Sequence, residues 1–204
     1  MVRKFKGRVV FLGNQVKNQD FEQATFMDLG NSSATIESAR LCDFYGCLNG
    51  NQVSVGDAVQ AYIQAELGGD DCWIALPREA YPTWIDGTPV YMTTNEVFQH
   101  NNAVRKWNSM RNPVTKLLKA LYGHPDSVTM WETKCDDDVK AVGFVAIGAE
   151  WPSVYFHHEL KLLLMIYVDD FKLAGPEENL DAGWALLRTK LNIGPEGPLG
   201  MYLG

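Results

Sequence analysis

Leu162 to Val168 is an unbroken run of aliphatic and β-branched residues plus one tyrosine, and it ends on two adjacent carboxylates, Asp169 and Asp170. Burial and mutual repulsion both push an acid in such a place toward its neutral form, so charge is costly there. The apolar pattern resumes as Phe171 and Leu173 on one side with Lys172 on the other, which predicts two strands meeting at the acid pair and places the acids at a hairpin tip. A hard, oxygen-seeking cation such as Mg²⁺ between the carboxylates relieves the repulsion. Polar turn chemistry is the other way to explain an Asp-Asp dipeptide.

A third acid stands far upstream. Val53-Ser-Val-Gly-Asp57 alternates apolar and small residues and then gives way to a helix-like pattern up to Leu67, leaving a carboxylate at a strand end and Tyr62 beyond it. On these residues alone, Asp57 as a helix cap and Tyr62 as a core aromatic stay open. Arg8 to Gly13 predicts a short strand with cations beside it; Lys6 and Arg8 suit phosphate oxygens, Arg8 better for its planar fork, and a solvated basic strand edge is the alternative. Farther on, Thr115 to Gly123 closes on Leu121-Tyr122-Gly123, with Trp131 downstream.

Tyr167-Val168-Asp169-Asp170 between its flanking strands, taken with Asp57, Tyr62 and the interval from Leu121-Tyr122-Gly123 to Trp131, resembles the reverse transcriptase of copia-type retrotransposons. The resemblance runs from the segment near Lys6 to Pro198-Leu-Gly-Met-Tyr-Leu-Gly204, which is similar to the start of the family's primer-holding strand pair. It implies an α+β fold of right-hand polymerase type, fingers and palm, with an antiparallel palm sheet backed by helices. The implied division is fingers over 1–50, the first catalytic palm segment over 51–67, fingers again with an insertion over 68–125, and palm with the catalytic hairpin over 126–204, cut short at the primer-holding segment.

The resemblance further implies RNA-directed DNA polymerase chemistry, with Asp57, Asp169 and Asp170 as catalytic acids and ligands of two Mg²⁺ ions about 4 Å apart, Mn²⁺ being a possible substitute. Asp169 is expected to bridge the ions rather than Asp170. Lys6, Arg8 and Tyr62 are the implied nucleotide-binding residues, Tyr62 screening the sugar against a 2′-hydroxyl. Tyr167, Val168, Tyr122 and Gly123 are the implied contacts to template and primer. The implied partners are an RNA or DNA primer-template, deoxynucleoside triphosphates and the rest of a polyprotein carrying RNase H and integrase, with no membrane. The implied setting is intracellular, in a cytoplasmic particle or the nucleus.

The sequence departs from the family at His124-Pro125-Asp126, where many relatives carry a Lys-Gln pair that positions nucleotide and template. The net charge of −7, from 18 Lys and Arg against 25 Asp and Glu, also argues against a simple nucleic-acid binder, because phosphate contacts are made by cations. A decayed remnant that keeps the fold and the acids without activity, or an interaction module in which the acids serve only structure, are therefore the alternatives.

The rest of the 204 residues suggests one domain or two closely joined subdomains. The longest apolar stretch falls far short of the roughly 20 residues needed to cross a bilayer. Cys42, Cys47, Cys72 and Cys135 form no metal-binding spacing and read as free thiols. Residues 83–112 lack a clear period and read as a solvated insertion in which Trp84, Lys106, Trp107 and Arg111 are weak candidates for template contact. Helices are expected after Asn31-Ser-Ser, with Leu41, Phe44, Tyr45 and Leu48 on one face; from Pro125 to Gly143, with Trp131, Cys135, Val139 and Val142 as its stripe and Asp136 to Asp138 on a solvated side; and after Pro176, with Leu180, Trp184, Leu187 and Leu191 aligned.

Overall fold

The structure, a computed structural model, describes residues 10–17, 22, 34–84 and 91–199. In chain order its elements are α1 (Ile36–Gly46), β1 (Asn51–Asp57), α2 (Ala61–Gln64), β2 (Trp73–Ala75), α3 (Thr94–Ser109), β3 (Val114–Lys116), α4 (Ser127–Ala141), β4 (Val145–Ala146), β5 (Val154–His157), β6 (Leu162–Tyr167), β7 (Asp170–Pro176), α5 (Glu177–Arg188) and β8 (Gly197–Pro198). They fall into two compact units, one of Met1–Leu67 with Lys119–Gly204 and one of Gly68–Leu118.

The larger unit is built on a six-stranded sheet in the order β4-β5-β6-β7-β1-β8, with every pair antiparallel. The apolar run of the sequence is β6, which lies inside the sheet and is buried on both faces. Leu162, Leu164 and Ile166 point into one core with Phe171 and Leu173 of β7, while Leu163 and Met165 point into a second core with Ala174. Such double burial is why the run shows no polar alternation. The first core is covered by Tyr62 of α2, by Trp131, Cys135 and Val139 of α4 and by Leu180, Trp184 and Leu187 of α5. Trp184 also donates its indole N–H to Ser54 Oγ at 2.7 Å, tying α5 to β1.

Helix α1 covers the second core with only part of the face expected from its large apolar residues: Leu41 and Tyr45 pack against it, Phe44 and Leu48 do not. Its buried positions are Ser38, Ala39, Cys42 and Gly46, whereas Phe44 is 67% exposed and Leu48 lies open to solvent. Close approach decides this. A Cβ on Gly46 would stand 2.0 Å from Val53 Cγ2, so the helix rests on β1 through small residues that its larger ones would hold away. Thr35 caps it, accepting the Ser38 N–H at 3.2 Å; the Asn31 to Ser33 segment lies outside the described residues.

Lys172 lies on the face opposite Phe171 and Leu173, as expected; under the same covering helix it is 2% exposed, and its Nζ donates to Asp43 of α1 at 2.8 Å. Asp136 and Asp138 are likewise only half-open and paired: Asp136 accepts from Tyr155 and Lys140, and Asp138 from Lys134. The strand expected over Arg8 to Gly13 is not seen in its described part, where Val10 to Leu12 are irregular and a 3-10 turn follows at Gly13–Gln15.

In the smaller unit β2 pairs with β3, and the stretch expected as a solvated insertion contains the sixteen-residue helix α3. Its start is a reciprocal capping box, in which Thr93 accepts the Glu96 N–H while the Glu96 carboxylate accepts the Thr93 N–H at 2.6 Å. Only Val97 and Val104 are buried along its length, one residue every two turns, too sparse a stripe to stand out in the sequence. Tyr81 packs edge-on against Trp107, and the Arg105 guanidinium lies over the Trp84 ring at 5.2 Å.

Candidate functional site

The three acids meet at one end of the six-stranded sheet. Strand β1 ends at Asp57 and β7 begins at Asp170, and the register sets these two directly opposite each other, with Tyr167 of β6 as the next partner in the row. Residues facing each other across antiparallel strands share a face and stand ~5 Å apart at Cβ. By strand alternation the row Tyr167, Asp170 and Asp57 lies on the α1 side of the sheet, one step beyond the row Met165, Lys172 and Val55. Asp169 occupies the turn, and its carbonyl accepts the Ala58 N–H at 2.7 Å. The chain leaving β1 is thus fastened to the turn that carries the acid pair.

Electrostatics agrees with this proximity. The Asp170 carboxyl is raised above its ordinary range, first by burial, then by the charges of Asp169 and Asp57. A carboxyl raised by its acidic neighbours marks a place short of positive charge. Among the described residues, no group of three or more His, Cys, Asp or Glu side chains, Asp57, Asp169 and Asp170 included, is placed to hold a metal ion. What the sheet end does offer is carboxylate oxygen, the donor type Mg²⁺ takes, usually from one or two carboxylates together with its own waters and substrate phosphates. The donor set matches in kind: all oxygen, anionic and half-open to solvent.

The turn between β6 and β7 is strained. Val168 has φ 56°, in the left-handed region that a β-branched side chain rarely enters. Its carbonyl is held by the Trp131 indole N–H at 2.7 Å, and Trp131 is fully buried under the sheet. Sequence reasoning gave Trp131 a place in a buried stripe and missed this bond, since spacing reveals a face but not a donor's direction.

Tyr62 stands beside the acids, its hydroxyl kept protonated to higher pH by burial first, then by Tyr122, Asp169 and Glu132. The ring is 9% exposed and packs edge-on against Tyr122 at 4.5 Å between centroids, so it belongs to the core as well as to the rim of the site. Tyr122 and Gly123 have a clear local role: the Tyr122 carbonyl accepts the Phe11 N–H at 2.6 Å, and a Cβ on Gly123, whose φ is +90°, would stand 2.1 Å from the Phe11 carbonyl oxygen. His124 is buried, faces Phe11 at 5.1 Å and accepts the Asp126 N–H on Nδ1. It finishes a turn and presents no long polar arm. Tyr167 is half-open beside the row. Lys6 and Arg8 lie outside the described residues.

No helix among the described residues is long and apolar enough to cross a membrane. Compared with protein-family models, curated proteins and solved structures, the chain finds no match.

Proposed function

We propose that this chain is the reverse transcriptase domain of a copia-type retrotransposon polyprotein, adding deoxynucleotides to a primer 3′-hydroxyl on an RNA or DNA template. The observation that carries the proposal is the acid row, Asp57 opposite Asp170 with Asp169 in the adjoining turn. Phosphoryl transfer asks little covalent chemistry of a protein; it asks for positioned charge where the phosphates and the attacking oxygen meet. Asp57 with Asp169 or Asp170 would hold the divalent ions, whose contribution when bound is to neutralise the triphosphate and activate the primer hydroxyl. Tyr62, which feels the charge of Asp169 from the first core, is proposed for the sugar on the family resemblance. Lys6 and Arg8 are proposed for the triphosphate on the family resemblance.

The test is magnesium-dependent extension of a primed RNA template, with Asp57→Asn and Asp169→Asn as controls. Loss in both variants supports the assignment; extension by the variants equal to that of the wild type removes it. A decayed remnant is the second possibility, favoured by the buried, turn-forming His124 and by the net charge of −7. It predicts ion binding without extension.

A further inference from the structure

Behind the strained turn lies a small, partly open cavity of about 20 Å³, lined among others by Trp131, Glu132, Ser153, Tyr155 and Val168. It has room for one water molecule. Glu132 Oε2 is buried there and has no hydrogen-bond partner among the described residues. An unmet buried acceptor costs free energy, and a leucine in its place would avoid the cost. One further strain borders the same space: Ser153 at φ 57° is, like Val168, left-handed without being glycine. Tyr155 is committed elsewhere, donating its hydroxyl to Asp136 at 3.0 Å. Glu132 follows Trp131 directly, so α4 meets the turn at two adjacent residues, one with a direct bond to Val168 and one with an acceptor at the cavity wall.

We infer that Glu132 is a positioning residue for the acid-bearing turn, seating a single water between α4 and the backbone behind Val168. Trp131 fixes the carbonyl of the turn, and the water on Glu132 fixes its inner side, so that Asp169 and Asp170 are presented in one orientation. Burial raises the Glu132 carboxyl above its ordinary range. The inference rests on the proposed role of the acid row, and adds to it a residue that the three-acid pattern does not contain.

The test compares Glu132→Leu, which fills the cavity and dries it, with Glu132→Gln, which keeps a polar end of the same size. Two readouts are taken: amide hydrogen exchange at Tyr167 to Asp170, which needs no metal, and Mn²⁺ affinity by titration. Exchange at the turn is expected to quicken roughly tenfold in Glu132→Leu, the loss of about one net hydrogen bond, with the β1 amides unchanged. Mn²⁺ affinity is expected to fall roughly tenfold, as when the support of a ligand is removed, while Glu132→Gln stays near wild type in both. Unchanged exchange in a folded Glu132→Leu overturns the inference whatever the metal does. Wild-type protein that takes up no Mn²⁺ counts against the proposed function and leaves the exchange readout to decide the role of Glu132. Glu132→Met, more adaptable in a tight space, carries the comparison if leucine overpacks. Folding with glutamine but with neither leucine nor methionine assigns the carboxyl to stability and also overturns the inference.

Discussion

Asp170 is the residue at which structure and chemistry meet most closely. Its folded-state affinity for a proton is higher than in the unfolded chain, where nothing buries it and Asp57 is distant. Protons therefore favour the folded form: stability is fullest below the ordinary aspartate range and is lost as pH rises through the raised value. Asp170→Asn is expected to abolish that loss and to leave the protein more stable than wild type at neutral pH without divalent ions, read by thermal melting across the acid range. Trp131 makes the complementary case. Trp131→Phe keeps most of the ring but leaves the buried Val168 carbonyl without its donor, which should cost about 2 kcal/mol by denaturant unfolding. A loss no larger than that of an exposed aromatic would show that the bond does not hold the turn.

The elements show what could be read from the sequence and what could not. Strands β6 and β7, the end of β1 at Asp57 and the buried stripe of α4 follow from local patterns, because long apolar runs and 3.6-residue periodicity are physical requirements of burial. The seating of α1 is not local. Phe44 and Leu48 look like its core face, yet the choice is made by how closely a helix approaches β1, a fact carried by Gly46 and Val53 together. Gly46→Ala should therefore destabilise by about 1–3 kcal/mol through overpacking, while Phe44→Ser stays within about 0.5 kcal/mol of wild type. The burial of Lys172 is not local either, since only the covering helix makes its face an interior one and supplies Asp43 as partner. Helix α3 was legible in part: Thr93 and Glu96 carry the capping-box spacing, but the sparse Val97 and Val104 stripe gave no period to follow it. Thr93→Ala should cost about 1 kcal/mol, measured as faster amide exchange in the first turn of α3. At the site, the three acids were legible as separate strand ends, whereas the orphaned Glu132 oxygen and the Trp131 bond had no sequence signal, because both depend on side-chain direction in the packed core.

At the scale of the whole molecule, a sheet covered on both faces places its least comfortable charges at one end, where β1 and β6 finish and β7 begins. An arrangement that repels itself is stabilised by whatever brings positive charge to it. Ligand that binds only the folded state raises its stability in proportion to the logarithm of the occupied excess, so a cation site is visible without any assay of catalysis. The most direct measurement is the melting temperature of the wild type and of Asp57→Asn with and without millimolar Mn²⁺. A rise of several degrees in the wild type that vanishes in Asp57→Asn is the predicted result; equal shifts in the two proteins, or none in either, contradict a shared cation at Asp57, Asp169 and Asp170.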